Sequence, residues 1–353
     1  MTTSGVSTWQ FTPSKIFQAP TYLPGQKSVV PIPRDMAIRN MMIRLSGTFT
    51  QPATSVTPPS GGVSSLIQAL SLVGNGGTHY RDISGKDLVA LNYLCNNFID
   101  NNQNGIGISP SVAYNVVQDI PLWMLIPFAG KPLDAVLNAQ LLNSLQLSVQ
   151  WSNVAQWSNV NCGLFAECSL FGTPGLISNS VATQIGGTVI NGVPNVASGD
   201  TAATYDLPTQ RTYDFIMLHY MNAASGADVP LIRNTSGINN VLKIRAGTYD
   251  FTETDIEFEK TMNVWRNRDQ MLRFKGDQAT SIVQNIWNSS NTVNGGTDNL
   301  DSYFFLQFPK AKALSESLPT QGLQNISLKI PNTTGVTCNV GITWGVLLQS
   351  ITG

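Results

Sequence analysis

The chain has 353 residues, of which 42% are apolar and 12% are charged, and its formal net charge is −1. This length exceeds one ordinary hydrophobic core and fits two domains, while the charged fraction is about half of the roughly 25% found in typical soluble domains. The near-zero charge argues against a broad nucleic-acid-binding surface. A surface of Asn, Gln, Ser and Thr is typical either of a protein whose faces meet neighbouring subunits or of a secreted or loop-rich β protein.

The first predicted element is an arm over residues 1–27. Its apolar anchors are spaced among Ser, Thr, Gln and Pro: Trp9, Phe11, Ile16, Phe17 and Tyr22. Such a segment cannot bury these side chains by itself. It is either a disordered tail or an arm that docks on a neighbouring subunit or an underlying surface. We favour docking, and we expect removal of residues 1–27 to impair assembly more than folding.

Strands dominate the elements that follow the arm. Strict alternation of apolar and polar residues predicts a half-buried antiparallel strand over 40–49. Leucines at near-helical spacing predict a helix over 86–100, and an apolar run predicts a strand over 112–128. A second helix is predicted over 132–141, because proline is tolerated in the first turn of a helix. The alternating strand LQLSVQWS follows at 145–152.

The second half of the chain repeats this order. IPRDMAIRNMMIRLSGTF at 32–49 is matched about 175 residues later by LPTQRTYDFIMLHY, and the apolar run ending at Pro127 is matched about 180 residues later by YFFLQFP. In both halves a Leu-spaced stretch and then an alternating strand follow, LQLSVQW and ISLKI. A repeat of this length exceeds a solenoid unit and predicts two whole β domains, which we place at 28–206 and 207–353. Antiparallel sandwiches are favoured, because the helices show no regular βαβ alternation.

The four cysteines are predicted to be small buried apolar residues and not a disulfide framework. Cys162 and Cys168 share the phase of one strand but lie about 20 Å apart along it, beyond bridging distance. Cys338 falls on the apolar phase of a strand and Cys95 on a helical face. A reducing folding compartment is therefore predicted. The polar start and the short apolar runs predict neither a signal peptide nor a membrane-spanning helix.

No strong catalytic motif is present, so we predict no enzyme activity, no cofactor and no metal site. The two histidines, His79 and His219, stand outside any recognisable constellation and are expected to be structural or at the surface. The run from Asp100 to Gly105 fits the opening of a calcium loop, but its twelfth position, which should carry a bidentate carboxylate, is Ser111. An Asn-rich turn is the favoured interpretation of that run.

Carboxylates cluster in one stretch of the second half: Asp250, Glu253, Asp255, Glu257 and Glu259. Paired carboxylates can hydrolyse a glycosidic bond. Alternation with Ile256 and Phe258 favours the solvent-exposed face of a strand instead. A carbohydrate-binding or carbohydrate-active β-sandwich protein, such as a viral spike or a glycosidase, stays the alternative function. Its candidate sites are Trp265 near Glu257 and Tyr249 near Asp250.

The duplicated order resembles the double jelly-roll major capsid proteins of tailless icosahedral viruses, the lineage of adenovirus hexons and tectivirus-like bacteriophages. Four segments carry the resemblance: 32–49, 121–151, 205–218 and 303–330. It implies an all-β fold of two tandem eight-stranded antiparallel jelly rolls, with short flanking helices between strands.

The same resemblance implies a structural role. Three copies would form a homotrimer of pseudo-hexagonal outline, and such trimers would tile an icosahedral shell, in the phage members over an internal lipid membrane. Penton and minor capsid proteins are further implied partners. The protein would be made in the host cytoplasm and reside in the virion, without direct sequence-specific contact to nucleic acid.

Overall fold

The structure of the chain is a computed structural model. It describes residues 10–11, 14–54, 56, 59, 61–96, 106–107, 109–123, 137–171, 183–196, 203–229, 241–255, 282–283, 302–308 and 317–347. Within these ranges strands dominate and α-helix is confined to one segment. No helix within those ranges is long and apolar enough to cross a membrane.

The elements up to residue 171 form what we call the N-terminal unit. In chain order they are β1 Gln10–Phe11, β2 Ser14–Phe17, β3 Lys27–Pro31, β4 Ala37–Thr50, a 3-10 helix Gly62–Leu66, β5 Ile67–Gly74, β6 Thr78–Ile83, α1 Gly85–Asn96, β7 Ile106–Gly107, β8 Ala113–Trp123, β9 Leu137–Asn138, a 3-10 helix Ala139–Leu141, β10 Leu145–Trp151 and β11 Trp157–Phe171. They build two four-stranded antiparallel sheets, in the orders β2-β11-β4-β8 and β3-β10-β5-β6. The short strands β1 and β9 add to the first sheet.

The elements from residue 183 onward form the C-terminal unit. They are β12 Thr183–Val193, β13 Ala203–Asp206, β14 Thr212–Asn222, β15 Val241–Ala246, β16 Tyr249–Asp255, β17 Ile282–Val283, β18 Tyr303–Gln307, β19 Leu318–Pro319, β20 Ser327–Ile330 and β21 Cys338–Leu347. Their two sheets have the orders β12-β21-β14-β18 and β13-β20-β15-β16. These orders repeat those of the N-terminal unit position by position.

The duplication predicted from the sequence is therefore confirmed. The strands that the sequence repeat matched occupy equivalent places in the two units. β4 and β14 are the third strands of their sheets, and β8 and β18 are the edge strands beside them. β10 and β20 are the second strands of the other sheets. Pairing within each unit is antiparallel, as predicted. The predicted helix at 86–100 is α1 as far as the structure describes it.

The helix predicted over 132–141 is wrong in the part that the structure describes. Leu137 and Asn138 form β9 and pair with the start of β4, and a single 3-10 turn follows. Leu137 is buried, whereas Leu141 is 57% exposed, so the two do not share a buried helical face. Backbone groups at the start of β4 offer this segment strand partners, and that pairing outweighs the local spacing of its leucines.

Each unit has its own hydrophobic core between its two sheets. In β4 the burial alternates as predicted, with Met41, Ile43 and Leu45 buried and Arg44 exposed. In β14, by contrast, the whole stretch 213–220 is buried. A strand buried on every residue has both faces covered. The second cover of β14 comes from the N-terminal unit.

One parallel contact joins the two units into a continuous sheet. The edge strand β6 pairs with the edge strand β12 at Arg81 and Ile185, which produces a nine-stranded sheet that includes β19. A second link is the short pair of β7 with β17. Strands β12 and β13 precede the boundary that we predicted at 206/207, yet they pair with β21 and β20 of the C-terminal unit. We therefore propose a boundary between 171 and 183.

Candidate functional site: the junction between the two units

The junction begins with an apolar contact between β14, β18 and the N-terminal unit. Phe215, Met217, Tyr303 and Phe305 belong to the same buried cluster as the side chains of α1. The rings of Phe215 and Phe305 lie 5.4 Å apart. On the neighbouring strand β21 the residues of this face are small, and a Cβ on Gly345 would lie 2.2 Å from the Phe215 ring. Small residues on β21 thus make room for the aromatic side chains of β14.

Helix α1 is fixed against this face by its first turn. Ser84 Oγ accepts a hydrogen bond of 3.0 Å from the Asp87 N–H and donates one of 2.8 Å to Asp87 Oδ2. This is the capping arrangement that satisfies free donors at a helix start. Gly85 packs so tightly that a Cβ there would lie 2.4 Å from the Ser64 carbonyl oxygen. The cap places two charged side chains, Lys86 and Asp87, toward the C-terminal unit.

A polar cluster lies at the centre of the junction. His219 of β14 is 3% exposed and its ring stacks on Tyr303 at 4.1 Å between centroids. His219 Nε2 is hydrogen-bonded to Asp228 Oδ1 at 2.8 Å. On the other side of the ring, Nδ1 lies 2.9 Å from Asp87 Oδ1, an ion-pair distance, although the N–H does not point straight at that oxygen. Tyr303 also donates a hydrogen bond of 2.9 Å to Asp87 Oδ1.

Lys86 completes this cluster from α1. Its ammonium group contacts Asp228 Oδ1, and the two side chains are only 18% and 7% exposed. Two carboxylates, one ammonium and one imidazole therefore lie together with little access to water. We call Lys86, Asp87, His219 and Asp228 the junction cluster. It connects residues that are 142 positions apart in the sequence.

The charges in the junction cluster stabilise one another against the cost of burial. Burial lowers the pKa of His219, but the negative charge of Asp87 and the hydrogen bond with Asp228 outweigh this effect, so that its pKa is raised. Burial by itself raises the pKa of both carboxyl groups, but contact with His219 opposes this effect. Ser84 and Tyr303 add to the opposition at Asp87, and Lys86 adds to it at Asp228. The pKa of each carboxyl group is therefore below its ordinary value. With His219 protonated, the cluster has no net charge.

A second buried charge marks the edge where β6 meets β12. Arg81 is fully buried and donates a hydrogen bond of 2.7 Å to the Tyr80 carbonyl oxygen. Burial lowers the pKa of its guanidinium to about 10. Arg81 was not among the residues predicted from the sequence to have a role. The expectation that His219 is structural fits its position, although the other members of the junction cluster were not predicted from the sequence. The available signal was a histidine inside the otherwise apolar run FIMLHYM.

The predicted arm residues differ in their burial. Phe17 in β2 is 6% exposed and belongs to the N-terminal core, and the Tyr22 ring packs edge-on against Trp151 at 5.3 Å. Phe17 and Tyr22 therefore pack against residues of their own chain and do not require a neighbouring subunit to cover them. Ile16 is 80% exposed. Trp9 and the side chain of Phe11 lie outside the described residues.

The other sequence candidates do not converge on a site. Cys162, Cys168 and Cys338 are free thiols, half-buried or buried, as apolar residues of strands should be. His79 is about half exposed and lies 3.8 Å from Asp82. The run 100–105 and the side chain of Cys95 lie outside the described residues. Among the described residues no group of three His, Cys, Asp or Glu side chains is placed to hold a metal ion.

The carboxylate stretch supports the solvent-exposed interpretation where the structure describes it. Asp250 in β16 accepts hydrogen bonds from Arg245 Nε and Nη2, at 2.5 and 2.9 Å. This contact holds the pKa of Asp250 below its ordinary value, so the carboxylate is ionised and forms an ion pair with Arg245. Tyr249 beside it is 69% exposed. Trp265, Glu257 and Glu259 lie outside the described residues.

Comparison with known proteins identifies the architecture. No protein-family model and no curated protein sequence matches the chain. Among solved structures, the major capsid protein of STIV matches with a TM-score of 0.65 over 96% of this chain and 98% of that chain, at 14% identity. The chain has the double jelly-roll fold.

Two further double jelly-roll structures agree with this assignment. An atomic structure of Sulfolobus turreted icosahedral virus matches with a TM-score of 0.63 over 97% of this chain and 92% of that chain, at 14% identity. The major capsid protein of bacteriophage PM2 matches with a TM-score of 0.59 over 97% of this chain and 100% of that chain, at 10% identity. The predicted fold of two tandem eight-stranded antiparallel jelly rolls is thus confirmed, with four principal strands in each of the two layers of each unit.

Proposed function

We propose that this chain is the major capsid protein of an icosahedral virus and that its role is structural. The observation that carries the proposal is the extent of the match: the capsid proteins of STIV and PM2 align with nearly the whole chain and over nearly their own full lengths. The alignment therefore includes both jelly rolls and the way one is placed on the other. The charged fraction of 12% supports the same role, because faces with few charges are less costly to desolvate on contact.

In this proposal the double jelly roll acts as one rigid building block. Helix α1 packs on β14 and β18, β6 continues into β12, and the junction cluster links the two units. Three copies form a homotrimer in which six similar units give a pseudo-hexagonal outline. Such obligate interfaces bury more than about 2,000 Å². Trimers then tile the shell through smaller contacts.

The oligomeric state tests this proposal directly. Size-exclusion chromatography with light scattering of the purified full chain should give a particle of about three times the 38.1 kDa monomer mass. Negative-stain electron microscopy of the same fraction should show hexagonal particles. A protein that stays monomeric at micromolar concentration contradicts the proposal.

We propose that the exposed N-terminal strand takes part in assembly. Ile16 presents an apolar side chain to solvent at the edge of the first sheet, where β2 ends the order β2-β11-β4-β8. Trp9 and Phe11 precede it and supply further apolar anchors in this proposal. Ile16→Asp should reduce particle yield while leaving the subunit folded, since the side chain is 80% exposed.

The matched control for this variant is Ser14→Asp. Ser14 lies two residues away on the same strand and is also exposed, so it places the same charge on the same side of β2 without removing an apolar group. Equal particle yields from the two variants contradict a contact through Ile16.

Within a virion the proposed partners are other copies of this chain, together with penton and minor capsid proteins and an internal lipid membrane. The bacteriophage host and the membrane stay predictions. Lipid extraction and protein gels of purified particles test them, because a membrane-containing shell retains lipid after nuclease treatment and density-gradient purification.

A further inference from the structure

We propose that the junction cluster is a protonation-dependent lock, in which His219 must carry both ring protons to hold the N-terminal unit against the C-terminal unit. Each ring nitrogen faces a carboxylate oxygen, Nδ1 toward Asp87 and Nε2 toward Asp228, at 2.9 and 2.8 Å. A neutral imidazole has one N–H and one lone pair, so one carboxylate would then face a lone pair. Only the imidazolium donates to Asp228 and at the same time turns a protonated, positively charged face toward Asp87.

Among the described residues, the groups around His219 bring two carboxylates and one ammonium next to its ring. From α1, Asp87 and Lys86 face the cluster, from the segment after β14 comes Asp228, and from β18 comes the hydroxyl of Tyr303. The carboxylates already accept from Ser84, Tyr303 and Lys86, which favours their ionised forms. Loss of the His219 proton removes the one positive charge that contacts both carboxylates and leaves Lys86 as the ammonium that the described residues place beside them. An unbalanced buried charge strongly destabilises a folded protein.

The direction of the pH dependence follows from this balance. The folded pKa of His219 is raised, so its stabilising contribution is complete below the unfolded value of about 6.5 and is lost as the pH rises through the folded pKa. The folded pKa values of Asp87 and Asp228 are lowered, so their contribution is present above about 3.9 and is lost as the pH falls through those values. The lock is therefore closed below the ordinary histidine value of about 6.5, and it opens as the pH rises through the raised pKa of His219.

A histidine titration by NMR tests the central claim in the assembled, full-length protein. The chain has two histidines, so ¹³C-labelled histidine gives two resolvable ring signals, and the His79→Gln variant assigns them. We expect the His219 signal to titrate with a midpoint above 6.5. A midpoint at or below 6.5, or a neutral ring throughout the neutral range, overturns the proposal.

Stability as a function of pH supplies a second test. The thermal unfolding midpoint of the wild-type protein should fall across the interval in which the His219 signal titrates. In His219→Gln, which keeps a polar side chain but does not titrate, this fall should be absent. A fall of the same size in both proteins overturns the proposal.

Asp228→Asn keeps the test decisive if His219→Gln does not fold. This variant retains a hydrogen-bond acceptor but removes one negative charge, and should shift the His219 midpoint to lower pH.

Hydrogen exchange of the α1 amides, corrected for intrinsic rates, should increase above the His219 midpoint in the wild-type protein, whereas the exchange of β4 should not. An unshifted midpoint in Asp228→Asn, or equal changes in α1 and β4, contradicts a lock at this junction.

Discussion

Gly345 and Phe215 face each other across β21 and β14, and a Cβ on Gly345 would lie 2.2 Å from the Phe215 ring. Phe215 is fully buried and packs on Phe305, so its ring has no free space to enter. The contact therefore depends on glycine for its lack of a side chain. It is a point of close packing between the small-residue face of β21 and the aromatic face of β14.

Gly345→Ala should destabilise the fold by about 1 to 3 kcal/mol, the usual cost of forcing extra volume into a packed core. Thermal or denaturant unfolding of the purified protein measures this change. The control is Gly341→Ala on the same strand, where the nearest atom to an added Cβ is 3.6 Å away and the contact is ordinary. A loss of stability equal in both variants contradicts the specific role of Gly345.

Ser28→Ala should cost about 1 to 3 kcal/mol, because it leaves a buried donor without its acceptor. Trp151 is 1% exposed, and its indole N–H donates a hydrogen bond of 2.8 Å to Ser28 Oγ. Denaturant unfolding measures the change.

Ser148→Ala on the neighbouring strand β10 is the matched control for Ser28→Ala. Ser148 is buried to the same extent, and its side chain makes no hydrogen bond to the residues that the structure describes. We expect little change in this variant. Similar losses in both would show that the hydrogen bond to Trp151 is not the cause.

Truncations should separate folding from assembly within the N-terminal segment. Deleting residues 1–13 removes the two-residue strand β1 but leaves β2 intact, so we expect a nearly unchanged unfolding midpoint and a lower particle yield. Deleting residues 1–27 also removes β2 and with it Phe17, and loss of a buried Phe side chain costs about 3 to 5 kcal/mol. We expect this longer deletion to impair folding itself, which revises the expectation drawn from the sequence.

Thermal unfolding and particle counts by electron microscopy measure both effects. Equal stability of the two truncated proteins contradicts the structural role of β2. A normal particle yield from the shorter truncation shows that the residues before β2 are idle in assembly.

The described cysteines should resist alkylation in the folded protein at pH 8. Burial raises the pKa of Cys162 to about 12 and that of Cys168 to about 11, and it also raises the pKa of Cys338. Since the thiolate is the nucleophile, less than about 1 in 500 of the Cys162 and Cys168 thiols is reactive at pH 8, compared with roughly a quarter in an unfolded chain. Iodoacetamide labelling with peptide mass spectrometry measures the extent. Urea-unfolded protein is the control, and equal labelling rates contradict the prediction.

Sequence reasoning succeeded where the signal is local. Alternation in β4 and β10 identified their buried faces, because side chains on a strand point to opposite sides at every step. It failed for the helix at 132–141, where pairing of Leu137 and Asn138 with β4 decides the conformation. It also missed the junction cluster. Lys86 and Asp228 each look like ordinary surface charges in the sequence, and only folding brings them together.

The amino-acid sequence by itself determined that this chain is all-β and duplicated, since apolar periodicity and the order of its segments are readable without knowing any contact. Tertiary structure decided how the copies are joined. The second buried face of β14, the boundary before β12 and the charge balance around His219 all depend on contacts between residues more than a hundred positions apart, such as Lys86 with Asp228. Burial and ion pairing over such separations follow from the arrangement of the sheets, and no local pattern encodes them.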